Sequence, residues 1–508
     1  MRDEMMNREK PNLEKLKSFL KREQDLTRAA RILEFDRSTV CPPNGQDGVG
    51  ESLVELQNLI FAVRKDPQFI ELAEELYAGR NELGEAAGCL VENLHREYRR
   101  NVRISPEKNE EFERIKNKAF INWQKAREQG RFELFEPSLK KVAEAEKERV
   151  LLWDADEREQ TLSVYERLLD EYEPGMTEEV LDVLFGASLE RIGRLLKQIK
   201  ESGKKIRTDF LYRAVTDEQQ KQCTDYLLNL LRFDRSQGAF ATSEHPYTEM
   251  MGQGDVRITS HYYPNLFLSN FYSVLHECGH ALFEQLQPQE DHEYFLADQK
   301  TMGMHESVSR FYENILGRSR AFIHLVYPQL CRIFPEVLGD VSEEELYRAV
   351  NVVEPSLIRT EADELTYTIH IIIRYEMEKE MINDRIPEDL AAVWREKYAA
   401  YLGVEPQNDR EGILQDIHWT DSFGYFPAYA LGNFYNAMFY EKMKQELDVE
   451  ACIEAGDFTS INKWMAENVF AKADRMDALD WIKDITQKDL EAETFLTYLE
   501  EKYRAIYQ

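Results

Sequence analysis

Phe112, Ile115, Ala119, Trp123 and Ala126 recur at steps of 3, 4, 4 and 3 residues in a segment opened by Pro106. That spacing lays apolar side chains along one face of an α-helix, with proline at a position where its missing N–H costs nothing. Similar charged-amphipathic stretches run from about Leu13 to Phe35, Glu51 to Arg64, Asn81 to Arg100 and Leu134 to Tyr172. Only 23 glycines and 16 prolines punctuate 508 residues, so helices must account for most of the chain. The clear breaks are Cys41-Pro-Pro-Asn-Gly45, Tyr172-Glu-Pro-Gly175 and the stretch from Gln237 to Tyr263. The last carries Gly238, Gly252 and Gly254 and then alternating Val256 and Ile258, which predicts a small β hairpin or sheet. No break reads as a flexible linker. The expected fold is mostly α: a single large helical body, 1–508, with a deep central cleft, in which residues 1–175 form an outer helical layer and 176–508 carry the chemistry.

Several function classes are excluded by charge and composition. The 95 acidic against 64 basic residues give a formal charge of −31, which repels nucleic-acid phosphates and anionic lipid at long range. No apolar run approaches a bilayer span, and Met1 to Lys10 lacks the apolar centre of a secretory signal. Cys41, Cys89, Cys223, Cys278, Cys331 and Cys452 are scattered without paired spacing, which fits reduced thiols in a cytoplasmic protein.

Chemistry enters at His276-Glu277-Cys278-Gly279-His280. The flanks Asn265 to Leu275 and Ala281 to Leu286 are apolar, contain no proline and extend helical spacing on both sides. On that helix the two imidazoles share a face one turn apart and can grip one divalent ion, while Glu277 can reach a water held there as a general base. Cys278 projects from another face and is expected to pack. Gly279 in a helix interior points to close approach by a neighbouring backbone or side chain. Catalytic zinc needs a third protein ligand. In the run His305-Glu306-Ser-Val-Ser-Arg310-Phe-Tyr-Glu313, residues Glu306, Arg310 and Glu313 fall on one helical face, and Glu306 is the expected ligand. Two neutral histidines and one glutamate leave a divalent site at net +1, which favours acidifying a water. The small β unit is expected beside this metal-binding helix.

Four further clusters then fall into order: His245-Pro246-Tyr247, Asp255-Val-Arg257-Ile-Thr259, Ile358-Arg359-Thr-Glu-Ala-Asp363 and Gly412-Ile-Leu-Gln415-Asp416-Ile-His418-Trp419. Together with His-Glu-x-x-His and His-Glu-Ser-x-Ser-Arg, they resemble the motifs of the carboxypeptidase Taq family of metallocarboxypeptidases over nearly the whole chain. Two positions depart from the pattern: Tyr247 stands where the family motif has phenylalanine, and Phe35-Asp36 replaces a tryptophan-aspartate pair. The resemblance implies mostly helical, cytoplasmic homodimers that use zinc or cobalt to remove amino acids singly from peptide C termini. It also makes His276, His280 and Glu306 the metal ligands and Glu277 the catalytic carboxylate.

Such a reaction needs a donor for the oxyanion that forms at the cleaved carbonyl. Tyr429, in Gly424-Tyr-Phe-Pro-Ala-Tyr-Ala-Leu-Gly432, is the first candidate, followed by Tyr425, His245 and His418. A free terminal carboxylate calls for a fixed cation, best an arginine making two parallel hydrogen bonds. Arg359 is the expected anchor, and Arg257 either shares that role or pairs with Asp255 as scaffold. Asp255, Asp363, Gln415 and Asp416 are expected to support these groups. Rival readings are a metallo-endopeptidase or dipeptide-releasing peptidase on the same triad, and a non-catalytic peptide-binding protein.

Overall fold

The computed structural model describes residues 2–297, 301–383, 385–472 and 475–508, with side chains from residue 11 onward. Four helices open the chain: α1 (Arg2–Thr39), α2 (Gln46–Arg64), α3 (Pro67–Ala78) and α4 (Glu85–Asn101). The predicted stripe lies on α5 (Pro106–Gln129), where Phe112, Ala119, Trp123 and Ala126 are buried. Its start is fixed by Ser105, whose hydroxyl accepts from the Lys108 N–H, and its end by Gly130 at φ +65°, a left-handed position that suits glycine. The stretch from Leu134 to Tyr172 is not one helix. After α6 (Glu136–Leu151), reciprocal caps by Asp156 with Glu159 and by Ser163 with Glu166 start the short helices Glu157–Thr161 and Val164–Leu169.

The layer expected over residues 1–175 is narrower in the structure. Leu16, Leu20, Phe69, Leu72, Leu76, Leu90, Val91 and Leu94 of α1, α3 and α4 gather, with Leu296, into a small core of their own. In contrast, Ala119 and Trp123 of α5 and Leu139 and Val142 of α6 join the main core that runs on to Tyr507. Apolar periodicity identifies a buried face but not the neighbour that buries it, so the boundary near residue 101 was not readable from spacing.

The break from Gln237 to Tyr263 folds into a three-stranded sheet of order β1 (Gly238–Thr242), β3 (Asp255–Ser260), β2 (Thr248–Gly252). Strand β1 runs parallel to β3, whereas β2 pairs antiparallel with it, Thr248 opposite Ile258, and forms an edge. The sheet packs beside α7 (Phe267–Gln285), as expected for the helix bearing the two histidines. The remaining framework of the site comes from α8 (Met302–Arg310), α9 (Glu364–Asn383) and α10 (Phe426–Glu446). A cavity of about 450 Å³ lies among α1, α4, β2 and the 171–174 turn, with Arg28, Arg31, Arg100, Glu171 and Met251 among its walls. Among the described residues, no helix is long and apolar enough to cross a membrane.

Candidate active site

Gly279 sets the distance between the two helices that build the centre. A Cβ placed on it would lie 2.7 Å from Ser309 Cα and 3.0 Å from the Val308 carbonyl oxygen, so α7 and α8 meet backbone to backbone as the glycine implied. Helix α8 begins at Thr301, whose hydroxyl accepts from the Met304 N–H. This packing brings His276, His280 and Glu306 together, one ligand atom of each lying within 4.8 Å of the others. Glu306 Oε2 stands 3.7 Å from Nε2 of both His276 and His280. Bonds of about 2.0–2.2 Å in a tetrahedral zinc site imply ligand-to-ligand spacings of roughly 3.4 Å, so the donor set fits a single divalent ion.

The surrounding shell orients each ligand. Arg310 Nε donates to Glu306 Oε1 at 2.8 Å, leaving Oε2 directed at the imidazoles. His276 Nδ1 donates to Glu313 Oε2 at 2.9 Å, which fixes its tautomer with Nε2 facing the centre. Glu313 reaches that place because α8 runs directly into a π-helical turn, Phe311–Leu316, closed by Gly317 N–H on the Tyr312 carbonyl at 3.0 Å. The His305 ring stacks on His280 at 4.3 Å between centroids and 13° between planes, and its Nε2 lies 3.0 Å from Glu284 Oε1.

The electrostatics are those of a concentrated acidic pocket. Burial alone would lower the His276 pKa, but Glu306, the bond to Glu313 and the nearby Glu277 outweigh it and push the imidazole up to about 9. His280 goes the other way, held neutral by burial and by the positive field of His305, His276 and Arg310. Glu313 is drawn down to about 2, because His276, Arg310 and Arg318 outweigh its burial. Glu277 is raised by burial, with His276 and the Thr248 hydroxyl partly opposing that effect. Cys278 is fully buried with its thiol pKa pushed up by desolvation, consistent with packing.

Glu277 is held from the sheet. Thr248 Oγ1 lies 2.7 Å from Glu277 Oε2 and 2.9 Å from the Glu277 carbonyl oxygen. Nothing in local spacing pointed to Thr248, since the two residues meet only through the packing of β2 on α7.

A second cluster unites Arg359, His418, Tyr425 and Tyr429. Arg359 is 7% exposed, and its Nε and Nη2 donate to Asp416 Oδ1 at 3.1 and 2.9 Å, while Nη1 donates to the Tyr367 hydroxyl at 3.2 Å. Arg374 binds the other oxygen of Asp416 through Nε at 2.6 Å. Burial would raise the Asp416 carboxyl, but the two guanidinium groups hold it well below the usual carboxylate range. The side-on fork of Arg359 is therefore engaged by Asp416, an arrangement that spacing did not predict. These contacts use three of its five N–H donors, which leaves one on Nη1 and one on Nη2 among the described residues.

The aromatic members close around that arginine. Its guanidinium lies 4.9 Å from the Tyr429 ring centre, His418 Nε2 is 3.3 Å from the Tyr429 hydroxyl, and Tyr425 stacks on His418. Burial lowers the His418 pKa to about 4 and raises that of Tyr429, so the tyrosine remains a proton-bearing donor. Glu378 fixes the preceding turn by accepting from Trp419 Nε1 at 2.8 Å, Gly424 N–H at 3.0 Å and the Tyr165 hydroxyl at 2.9 Å. The two clusters are joined by Arg310, which binds Glu306 and lies 3.7 Å over the Tyr367 ring. They also meet at Gly432 of α10, where a Cβ would come within 3.2 Å of Glu306 Cγ.

Two candidates stand apart. Arg257 pairs through Nε and Nη2 with both Asp255 oxygens at 2.9 Å, the scaffold alternative. His245 is exposed in the β1–β2 loop, and its described bonds run to its carbonyl oxygen, from Ser243 and Thr259.

Known proteins share both chain and fold. Residues 15–503 match the model of the carboxypeptidase Taq (M32) metallopeptidase family. Carboxypeptidase 1 of Bacillus subtilis is 38% identical over 492 residues, covering 96% of this chain and 97% of that protein. Thermostable carboxypeptidase 1 of Thermus thermophilus is 36% identical over 486 residues, covering 94% and 95%. The crystal structure of the M32 carboxypeptidase from Deinococcus radiodurans superposes with a TM-score of 0.93 at 30% identity, over 98% of this chain and 99% of that one.

Proposed function

The chain belongs to the carboxypeptidase Taq (M32) family of metallopeptidases, and on that footing we propose that it releases single amino acids from the C terminus of peptides. One divalent ion, zinc first and cobalt as the alternative, would be held by His276, His280 and Glu306. The observation that carries this reading is the meeting of those three donors beside Glu277, which Thr248 orients. Two imidazoles and a carboxylate are a donor set of catalytic zinc sites with a coordination position left open. When bound, such an ion supplies Lewis-acid polarisation of a carbonyl and acidification of a water.

The chain's own groups do the rest. Glu277 takes the water's proton on the carboxylate oxygen not engaged by Thr248 and returns it to the departing amine. The Thr248 hydroxyl has two acceptors on the same residue, so it can donate to Oε2 of the ionised carboxylate and turn to the carbonyl oxygen once the carboxyl carries a proton. Tyr429, kept protonated by burial, donates to the developing oxyanion. Arg359 meets the terminal carboxylate end-on, with Tyr425 and His418 forming the adjoining wall and Asp416 keeping the guanidinium in place. His245, exposed on its loop, is not assigned a step.

Incubation of metal-loaded protein with paired peptides, one free and one amidated at the C terminus, tests the reading by mass spectrometry. A chelator-sensitive ladder of single losses from the free-acid peptide alone is expected. Internal cuts in both peptides would replace it with the endopeptidase, and no cleavage across several metals with the binding protein. The family resemblance further supports a homodimer, checked by light scattering, and six free cysteines fit a cytoplasmic setting.

A further inference from the structure

Strand β2 is gripped from the side opposite the metal centre. Successive residues of an extended chain point to alternate faces, so Thr248 and its neighbours Tyr247 and Glu249 face opposite ways. Thr248 reaches Glu277, whereas the two neighbours turn to helix α1. The Tyr247 hydroxyl lies 2.5 Å from Ser38 Oγ, and its ring meets Phe35 edge-on at 6.2 Å. Arg31 Nε lies 2.9 Å from Glu249 Oε1, and Arg31 Nη1 donates to the Met250 carbonyl at 2.8 Å. That carbonyl belongs to an edge strand, just before the irregularity between Met250 and Gly252, where the ladder to β3 is weakest. Two further contacts tie the same helix to β3: Arg28 with Asp255 at 3.8 Å, and the Arg257 guanidinium 5.1 Å over the Phe35 ring. The hydroxyl that Ser38 meets is the one by which Tyr247 departs from the phenylalanine of the resembling motif.

We propose that α1 is a clasp on the general base: Ser38 and Arg31 hold Tyr247, Glu249 and the Met250 carbonyl, and so set where Thr248 presents its hydroxyl to Glu277. Ser38, Arg31 and Tyr247 are positioning residues, and the inference rests on the reading of Glu277 as general base. The physical ground is leverage. An edge strand is paired on one side only, so contacts from a second element add to what fixes its register, and a slip of one residue exchanges its faces. The clasp supplies such contacts at Tyr247, Glu249 and Met250, on both sides of Thr248 in the chain. Because α1 packs in the small core of α1, α3 and α4, the grip links the N-terminal layer to the reacting carboxylate through β2.

The test uses the full-length, metal-loaded protein with Tyr247→Phe, Ser38→Ala, the double variant and Arg31→Met. A lost neutral hydrogen bond corresponds to about a 2- to 10-fold change. Both single variants at the Ser38–Tyr247 bond are expected to lower kcat by about that factor with KM and bound metal unchanged, and the double variant to be no worse than either single. Hydrogen–deuterium exchange should quicken in residues 247–252 and stay parental in α7. Arg31→Met should do the same more strongly, without relying on the tyrosine. Parental kcat in all four variants of an active enzyme overturns the coupling, as do losses that add in the double variant or that follow loss of metal. Exchange in β2 that stays parental overturns the clasp whether or not the protein cleaves a peptide. A parent that cleaves neither free-acid nor amidated peptides overturns the carboxypeptidase reading instead.

Discussion

Gly279 and Ser309 touch through their backbones: a single methyl group on Gly279 would stand 2.7 Å from Ser309 Cα. Neither partner can move aside as a side-chain tip could, so Gly279→Ala should push α7 and α8 apart. The expected cost is about 1–3 kcal/mol of stability, together with weaker metal binding, because Glu306 rides on the displaced helix. Thermal unfolding and competition with a chromogenic chelator read the two effects separately. Parental values in both would show that the helices tolerate wider spacing.

Replacing Glu277 by glutamine keeps the size of the side chain and its contact with Thr248 but removes the base. Turnover should fall by about 10²- to 10⁴-fold while metal content, measured by atomic emission, stays at one ion per chain. At Thr248, serine should preserve activity and valine should lower kcat, because only serine retains the hydroxyl that reaches Glu277.

Glu313 bonds the outer nitrogen of His276 at 2.9 Å. Loss of such an outer partner typically weakens metal affinity by about 10- to 100-fold. Glu313→Ala should therefore require that much less chelator to lose its metal, with Glu313→Gln in between.

The Arg359 guanidinium is shared between Asp416 and Tyr367, yet Asp416 keeps Arg374 if Arg359 is removed. Arg359→Ala should thus fold, and its kcat/KM on a free-acid peptide should drop by about 10- to 100-fold, the worth of a charge-assisted contact. Equal loss on an amidated peptide would remove Arg359 from the role of anchor.

Far from solvent, Glu173 accepts from the Gly303 N–H and from the Tyr435 hydroxyl at 3.1 Å, with no cation bonded to it among the described residues. Burial raises its carboxyl from an ordinary 4.5 to about 8, with those two bonds only partly opposing. The folded protein therefore binds this proton more tightly than the unfolded chain does. Its contribution is most favourable below pH 4.5, declines as pH rises towards 8, and is level above. Glu173→Gln should match the parent near pH 4.5 and exceed it in unfolding free energy above pH 8, by on the order of 5 kcal/mol. A difference that shrinks with rising pH would contradict this.

The shared face of His276 and His280 was legible because helical spacing fixes it, and Gly279 announced a close neighbour, but that Glu306 faces them depends on how α8 packs on α7. The pairing of Arg257 with Asp255 was equally open, since residues two apart on a strand share a face. Glu313 was visible on the face of Glu306 but not assignable, because its reach to His276 depends on a π-helical turn that no spacing rule announced. Thr248, Tyr367 and Glu378 were unreadable for a different reason. Each meets its partners through tertiary packing, from eight residues away for Tyr367 and Arg359 to 213 for Glu378 and Tyr165, and none carries a residue type unusual for its position. Arg359 was found as a residue, but its side-on engagement with Asp416 depended on how the 412–419 segment folds back over it.

The small core of α1, α3 and α4 has a thermodynamic consequence. Helices that bury their apolar faces mainly in one another can detach as a cooperative unit, losing only their boundary with the rest, while the main core stays intact. Partial unfolding of this enzyme should therefore begin there, and a protease acting on the native ensemble should nick the N-terminal hundred residues long before it reaches the helices that hold the histidines.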